Sequence, residues 1–329
     1  MVGTRISRNI SMELARVTEA AALTAGRWMG RDQKENADQA AVDAMRQVLN
    51  TIEIEGEVVI GEGEKDEAPM LYSGEIVGCA SEPKVDIAVD PVDGTRLLAK
   101  GMPNAIAVLA IAERGAMYKW EHIAYMEKIA VGPAAKGAID LRDSPTDNLI
   151  RIAEKTGRKV NDLTVVVLDR PRHDDLIAEI RDAGARLKMI MDGDVAGGLM
   201  AAMSGTGIDA LMGIGGSPEA VITACALKCV GGDMQCRLSP RNDEERAHAA
   251  AEGIDTERIW GIDDLAGGEE AFFAATGITD GELLDGVHYG KWGASTHSLV
   301  MRARSGTVRY INSTHRLEKL ETLETIPWD

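Results

Sequence analysis

Strands and helices alternate through the second half of the sequence, and this alternation limits the fold more than any other feature. The apolar segment LTVVVLD predicts a buried strand, and HDDLIAEIRDAGA after it predicts an amphipathic helix. The pattern repeats in RLKMIMDGD followed by VAGGLMAAM, and again in IDALMGIGG followed by SPEAVITACALKCVGG. Repeated strand-helix units of this kind form a parallel or mixed sheet covered by helices.

The first half and the last segment add further elements to this α/β scheme. Helices are predicted over residues 10–29 and in AAVDAMRQVLNTI, which Asp38 opens. Strands are predicted in EVVI, VDIAVD, NAIAVLAIAE and EKIAVG, and the chain closes with FFAATGIT and a pair of strands joined at Ser305-Gly306. No linker divides the sequence, so we expect a single catalytic unit (1–329) with two closely packed halves.

The formal net charge of −17 argues against nucleic acids and anionic membranes as partners. No run of about 18 apolar residues occurs, and the N-terminus lacks the apolar core of a signal peptide, so we expect a cytoplasmic protein with no membrane partner. An anionic substrate would be repelled by the field of the whole protein. Such a substrate would therefore require cations at its site.

The four cysteines do not form a CxxC pair. Cys225 and Cys229 lie four residues apart on a predicted helix, which is compatible with half of a metal site. Buried structural cysteines are the favoured interpretation, because no second pair with suitable spacing follows.

The stretch IAVDPVDGT (87–95) brings Asp90 and Asp93 to the end of a predicted buried strand. Asp-Pro-x-Asp-Gly is good turn chemistry, so a tight turn is the simplest explanation. A turn explains why Pro91 and Gly94 occur here, but it does not explain why two acidic residues, Asp90 and Asp93, lie beside them.

Other acids also fall at the ends of predicted elements, and each has a structural alternative. Asp38 and Asp194 are plausible helix N-caps. Glu219 fits the second position of a helix capped by Ser217 and begun by Pro218. Carboxylates gathered at the ligand-binding edge of an α/β sheet would repel one another unless cations lie between them. Oxygen-only ligand sets suit Mg²⁺ or Mn²⁺.

Two nucleotide-binding motifs are excluded. GIGGSPE has Pro218 where a dinucleotide-binding loop needs its third glycine, and no GxxxxGK[ST] occurs.

Six ordered blocks resemble the class II fructose-1,6-bisphosphatases: GEGExDEAPML, DIAVDPxDGT, YMEKxxVGP, PRHD, DGDVA and GIGGxPE. The resemblance covers most of the chain, and the acid pair with DPxDGT also resembles the wider superfamily of lithium-sensitive phosphatases. It implies a layered α/β/α/β/α sugar-phosphatase sandwich with mixed sheets, assembled as a homodimer or homotetramer. It also implies a metal-binding N-terminal half (roughly 1–160) and a substrate-binding C-terminal half (161–329).

The resemblance implies a set of metal ligands for two or more Mg²⁺ or Mn²⁺ ions: Asp38, Glu62, Asp90, Asp93 and Glu219. The family often has Glu where this chain has the shorter Asp93. The implied substrate contacts are Asp93, Gly94, Thr95, Tyr125, Arg170, Pro171, Arg172, Asp192, Gly193, Asp194 and Gly216.

The residues implied by the resemblance and the acids at the ends of predicted elements both indicate metal-assisted hydrolysis of a phosphate ester. Thr95 is expected to orient the attacking water, with Asp66 or Glu64 as the proton acceptor. The backbone amides of Gly94 and Thr95 are candidate donors to the phosphate oxygens. Lys34, four residues before Asp38, is a candidate cation for the site, with a solvated loop lysine as the alternative.

A bisphosphate needs a second anchor for its distal phosphate. Arg170 and Arg172 are the candidates, with Tyr125 as a hydroxyl donor. The structural alternative is surface ion pairing with Asp174 and Asp175.

Asp192 and Asp194 can accept hydrogen bonds from sugar hydroxyls.

The expected activity is hydrolysis of the 1-phosphate of fructose 1,6-bisphosphate, as in gluconeogenesis. A sedoheptulose-1,7-bisphosphatase, a dual-specificity enzyme and an inositol-phosphate phosphatase are the alternatives. A non-enzymatic metal-binding or regulatory protein is a third class, which the complete acid set and Thr95 disfavour.

Overall fold

The computed structural model describes residues 6–61, 71–119, 123–316 and 318–319. Its strands, in chain order, are β1 Glu55–Ile60, β2 Ile76–Val77, β3 Lys84–Asp93, β4 Ile106–Glu113, β5 Tyr125–Val131, β6 Thr164–Leu168, β7 Arg186–Ile190, β8 Ala210–Gly216, β9 Asp233–Leu238, β10 Trp260–Gly261, β11 Ala271–Gly277, β12 His288–Gly290, β13 Gly293–Arg302 and β14 Thr307–His315. Its α-helices are α1 Ile10–Ala25, α2 Lys34–Leu49, α3 Thr95–Ala99, α4 Pro145–Thr156, α5 Asp174–Asp182, α6 Asp194–Ala202, α7 Ser217–Val230, α8 Asp243–Ala251 and α9 Ile262–Leu265.

The chain divides into two compact units. The first comprises Met1–Met117 together with Gly268–Asp329, and the second comprises Tyr118–Gly267. These units differ from the expected linear halves (roughly 1–160 and 161–329), because β11 to β14 return to the sheet that β1 to β4 begin. The expected assignment of metal binding and substrate binding to the two halves stays a prediction.

The sheet of the first unit has the order β12-β13-β11-β4-β3-β1-β2, with β14 paired to β13. β1 and β3 are parallel, and the other pairs of this sheet are antiparallel. The middle strands are apolar on both faces: β11 is buried along its whole length, and β4 along all but its last residue. α1 packs on β11 and β13, while α2 packs on α1 and β3.

The sheet of the second unit has the order β10-β9-β5-β8-β6-β7. β6 is parallel to β7 and β8, whereas β5 is antiparallel to β8 and β9. The carboxyl ends of β6, β7 and β8 therefore lie at one edge of this sheet, where β5 begins: Tyr125 is opposite Gly216, and Leu168 is opposite Ile190. In open α/β sheets this edge is where ligands bind.

The predicted α/β class with mixed sheets is confirmed. The helix predicted over 10–29 is present as α1, which ends at Ala25 before a single turn of 3₁₀ helix. Cys225, Cys229 and Cys236 are buried, as expected for structural cysteines. Among the helices in the described ranges, none combines the length and the apolar character needed to span a lipid bilayer.

Candidate active site

The carboxyl end of β3 carries Asp90 and Asp93. Three residues apart on a regular strand, they would point to opposite faces, because side chains alternate. The pairing of β3 with β4 changes register between them, so that Asp90 lies opposite Val108 and Asp93 opposite Ile106. Val108 and Ile106 are two residues apart and share a face, and directly opposite residues of an antiparallel pair also share a face. The irregularity therefore places both aspartates on one face of the sheet.

The predicted tight turn lies later than expected, because β3 continues through Pro91 and ends at Asp93, and the chain turns only at Gly94. The turn chemistry is satisfied inside the strand: Asp90 Oδ1 accepts a hydrogen bond from the backbone N–H of Val92 at 3.0 Å. Asp93 is only 3% exposed. A buried carboxylate is costly unless hydrogen-bond donors or cations compensate it.

Gly94 turns the chain from β3 into α3. Its φ of +96° lies in the left-handed region, and a Cβ there would lie 3.1 Å from Leu97 Cδ1. Thr95 follows as the first residue of α3, and its hydroxyl donates to the Val92 carbonyl at 3.2 Å. This hydrogen bond holds the Thr95 side chain against the end of the strand that carries the acids.

Asp38 does not open a helix, so its prediction as an N-cap is wrong. α2 begins at Lys34 after the N-cap residue Gln33, and Asp38 is half-buried on the helix that packs against β3. Lys34 is therefore helical rather than part of a loop. It is exposed, and its Nζ lies 3.9 Å from Glu35 Oε1.

Glu62, Glu64 and Asp66 lie outside the described residues, within 62–70. In the part of the chain that the structure describes, no group of three or more His, Cys, Asp or Glu side chains is arranged to hold a metal ion. The predicted roles of these three acids stay predictions.

Glu219 lies in the first turn of α7, in the second unit. The helix begins at Ser217 with Gly216 as its N-cap, so the predicted cap at Ser217 is wrong, and the Ser217 hydroxyl instead donates to the Ile123 carbonyl at 2.9 Å. Glu219 Oε2 is buried and has no hydrogen-bond partner among the described residues. Burial, and then the neighbouring Asp194 carboxylate, raise the pKa of Glu219.

Lys128 on β5 is a buried cation, with 2% of its surface exposed. Its Nζ donates to Asp194 Oδ2 at 2.5 Å. Although burial disfavours the charged form, the Asp194 and Glu219 carboxylates raise the pKa of Lys128. Asp194 is the first residue of α6 behind the N-cap Gly193, so its prediction as an N-cap is wrong. A Cβ on Gly215 would overlap the Asp194 carboxylate, so this pair lies directly against the backbone of β8.

Arg172 follows the carboxyl end of β6 and reaches across to β8. Its Nε and Nη2 donate to the Ile214 carbonyl at 3.2 and 2.7 Å, and its guanidinium lies 5.1 Å from the centre of the Tyr125 ring. Arg241 contacts the same ring at 5.5 Å. Tyr125 therefore lies beside two guanidinium groups at the ligand-binding edge of the sheet.

Arg170 Nη2 lies 3.5 Å from Asp192 Oδ1, which joins the loops after β6 and β7. The alternative of ion pairs between these arginines and Asp174 or Asp175 is wrong, because Arg170 pairs with Asp192 and Arg172 with a backbone carbonyl. Both arginines thus belong to the sheet edge rather than to the surface of α5.

The chain matches a family model described as bacterial fructose-1,6-bisphosphatase, glpX-encoded, over residues 8–315. It belongs to this family. The resemblance read from the six sequence blocks is confirmed. Membership makes the protein a phosphatase of the fructose-bisphosphatase type, a hydrolase of phosphate monoesters.

Curated relatives agree with the family match. A protein named D-fructose 1,6-bisphosphatase class 2/sedoheptulose 1,7-bisphosphatase from Synechococcus sp. (strain JA-3-3Ab) is 47% identical, and the alignment covers 94% of this chain and 96% of the relative. A protein of the same name from Thermosynechococcus vestitus is 46% identical over the same shares. The solved structure of the extragenic suppressor protein suhB from Bartonella henselae has a TM-score of 0.32 and 16% identity, and it covers 59% of this chain and 73% of its own. A TM-score this low adds nothing to the description of the fold.

The acidic residues of this bisphosphatase offer the type of ligand atom that a divalent metal ion requires. Asp90 and Asp93 share one face at the end of β3, and both offer the oxygen ligands that Mg²⁺ and Mn²⁺ prefer. Within the second unit, and considered by itself, Glu219 has a buried oxygen without a hydrogen-bond partner among the described residues, and a Cβ on Gly216 would overlap that oxygen. A cation would satisfy this otherwise costly group.

Sequence reasoning missed three cationic or titratable residues of the second unit: Lys128, His173 and Arg241. For Lys128 a signal existed, because it lies between Met126 and Ala130 at the inward-facing positions of β5, where a cation needs a buried partner. For Arg241 no such signal exists, since its contact with Tyr125 depends on the tertiary fold.

Proposed function

We propose that this bisphosphatase hydrolyses the 1-phosphate of fructose 1,6-bisphosphate, giving fructose 6-phosphate and inorganic phosphate. The observation that carries the proposal is the shared face of Asp90 and Asp93 in a chain of this family. A strand irregularity that turns two acids to one side is costly, and it serves a purpose when the acids bind cations.

The proposed ligands for two or more Mg²⁺ or Mn²⁺ ions are Asp38, Glu62, Asp90, Asp93 and Glu219. When bound, two divalent ions held by these residues would neutralise the phosphate charge and lower the pKa of the attacking water. The oxygen-only donor set and the orphaned oxygen of Glu219 support this proposal.

The remaining residues of the first unit would act on the reacting phosphate. Thr95, held by its hydrogen bond to the Val92 carbonyl, would orient the water. Glu64 or Asp66 would accept the proton, and the backbone amides of Gly94 and Thr95 would donate to phosphate oxygens.

The second unit would recognise the sugar and the distal phosphate. Arg170 and Arg172 would bind that phosphate together with the Tyr125 hydroxyl, because guanidinium groups match phosphate oxygens in charge and geometry. Their position at the ligand-binding edge of the sheet supports this role.

The sugar hydroxyls would lie against the loops after β7 and β8. Asp192 and Asp194 would accept their hydrogen bonds, and Gly193 and Gly216 would allow close approach to the backbone.

Pro171 would fix the loop between the two arginines, and Lys34 would add a cation near Asp38.

Sedoheptulose 1,7-bisphosphate is a second candidate substrate, because the names of both curated relatives include that activity. The two substrates share a ketose 1-phosphate and differ in the length of chain that carries the distal phosphate. An enzyme that anchors the distal phosphate through long arginine side chains could accommodate both.

A phosphate-release panel tests the substrate. We expect turnover of fructose 1,6-bisphosphate with Mg²⁺ or Mn²⁺ and much weaker turnover of fructose 1-phosphate, which lacks the distal phosphate. Myo-inositol 1-phosphate serves as the control for the wider superfamily. Faster release from inositol phosphate than from either bisphosphate would contradict the proposal, and no release from any substrate with either metal would favour a non-enzymatic protein.

A cytoplasmic location, a role in gluconeogenesis and a homodimeric or homotetrameric assembly belong to the same proposal. Size measurement in solution tests the assembly.

A further inference from the structure

His173 is a buried imidazole that none of the proposed roles uses. Only 1% of its surface is exposed. Its Nδ1 lies 2.7 Å from the Leu168 carbonyl at the end of β6, and the backbone N–H of Ile214 on β8 donates to its Nε2 at 2.7 Å. Because Nε2 accepts a hydrogen bond, Nδ1 carries the proton and donates to Leu168. The neutral ring thus joins the ends of two neighbouring strands.

Arg172 contacts the same residue of β8. While His173 binds the N–H of Ile214, the Arg172 guanidinium donates two hydrogen bonds to the Ile214 carbonyl. The N–H of Ile214 is therefore bound by His173, and the carbonyl of Ile214 is bound by the preceding residue of the chain, Arg172. A displacement of the His173 ring would move the backbone of Ile214, and with it the carbonyl to which the Arg172 guanidinium donates.

The backbone of β8 is shaped to receive the ring. Gly213 has a φ of +133°, and a Cβ there would lie 3.0 Å from His173 Nε2. A side chain at this position would be strained and would press on the ring. The close approach leaves His173 little freedom to shift.

We propose that His173 is a positioning residue that holds Arg172 in place for the distal phosphate of the substrate. The inference rests on the proposed function, since it needs Arg172 to bind that phosphate. An arginine side chain loses conformational entropy when it becomes ordered, so a guanidinium that is already ordered binds phosphate at a lower cost.

Two variants separate the two hydrogen bonds of the ring. The amide of His173→Asn can still donate to Leu168 but does not reach the Ile214 N–H, whereas His173→Gln extends far enough to accept from it. We expect His173→Asn to raise KM for fructose 1,6-bisphosphate about tenfold with kcat changed less than about twofold, as for one lost hydrogen bond. His173→Gln should recover most of that loss. His288→Asn, at an exposed histidine, is the matched control and should leave KM unchanged.

The distinguishing readouts are a truncated substrate and a double variant. For fructose 1-phosphate, His173→Asn should leave the ratio of kcat to KM unchanged, because there is no distal phosphate to bind. In an Arg172→Ala background, His173→Asn should add no further increase in KM, because the residue through which it acts is gone.

Equal losses on both substrates, or additive effects with Arg172→Ala, would overturn the positioning role while leaving the proposed function intact. The same holds if thermal unfolding shows that neither His173 variant folds, since the ring would then serve the fold alone. A wild-type enzyme that releases no phosphate from the bisphosphate would instead overturn the proposed function, and the inference with it.

Discussion

The two units build charged sheet edges in different ways. In the first unit, Asp90 and Asp93 come from one strand and lie within four residues of sequence, and a local irregularity turns them to one face. In the second unit, Lys128, Asp194 and Glu219 come from a strand and two different helices. The first edge depends on local backbone geometry, whereas the second depends on tertiary packing.

The two edges also differ in the sign of their charge. The charged residues at the end of β3, Asp90 and Asp93, are both acidic, but the edge of the second sheet combines buried carboxylates with Lys128, Arg170, Arg172 and Arg241. The net charge of −17 makes the protein as a whole repel an anionic substrate. These cations can attract such a substrate locally. We therefore expect substitutions at the first edge to lower activity and metal binding, and substitutions of the buried pair at the second edge to lower stability.

The largest effect is expected at the acid edge. Asp93→Asn removes the charge of a buried carboxylate while keeping its shape. If this carboxylate binds a catalytic cation, kcat should fall by about a thousandfold or more, since metal ions supply several kcal/mol of transition-state stabilisation. Phosphate release with saturating Mn²⁺ measures the loss, and titration calorimetry with Mn²⁺ should show weaker binding.

Asp86→Asn is the matched control for that variant. Asp86 is buried on the same strand, but it accepts a hydrogen bond from the backbone N–H of Met117 at 3.0 Å and lies 3.6 Å from Arg114. Its loss should lower the midpoint of thermal unfolding and leave Mn²⁺ affinity unchanged. Equal activity losses in the two variants, or an active Asp93→Asn enzyme, would contradict the role of Asp93 as a ligand.

The contrast between the edges also explains what could be predicted from the sequence. The acid pair was recognisable because its residues are three positions apart in the chain and end an apolar segment. Its geometry was not, because the change of register depends on how β3 pairs with β4. In the second unit, β6 to β8 and the helices α5 to α7 were predicted, since each is a continuous apolar or amphipathic segment, whereas α4 and β9 were not.

Helix starts and buried pairs were harder to predict. Asp38 and Asp194 have the chemistry of N-caps, yet α2 begins four residues before Asp38, and Asp194 instead pairs with Lys128. The partner of Lys128 lies 66 residues away in sequence, so no local pattern indicates it. Charged residues whose role depends on such distant partners are predictable from one sequence only through resemblance to a family.

The next largest effect is expected at the buried pair of the second unit. Lys128→Met keeps the length of the side chain but leaves the Asp194 carboxylate buried without its cation. Removing one partner of a buried ion pair costs about 3–5 kcal/mol, so the free energy of unfolding should fall by that order. Urea denaturation followed by circular dichroism measures the change.

Two controls sharpen the comparison. Lys128→Met combined with Asp194→Leu removes both charges and should recover much of the lost stability, because a buried pair replaced by apolar groups is often neutral. Arg142→Ala breaks the pair with Asp140 on the surface of the same unit, where the Arg142 side chain is 73% exposed, and should change stability far less. A Lys128→Met protein as stable as the wild type would show that the pair does not stabilise this unit.

The smallest effect is a pH dependence of stability in the second unit. Burial, and then the nearby Arg172 and Arg170 charges, lower the pKa of His173 below its ordinary value of 6.5. Between the two pKa values the unfolded chain binds more protons than the folded protein, so the free energy of unfolding rises with pH there. The stabilisation is complete above about pH 6.5 and is lost as the pH falls below it.

His173→Gln cannot titrate and isolates this contribution. Its free energy of unfolding, measured by urea denaturation at about pH 8 and about pH 5, should fall less than that of the wild type on acidification. The stability gap between the two proteins should therefore narrow at the lower pH. A gap of the same size at both pH values would mean that the ring is not held neutral between β6 and β8. The acid edge offers no such probe, because its carboxylates are proposed metal ligands and would change metal binding and stability together.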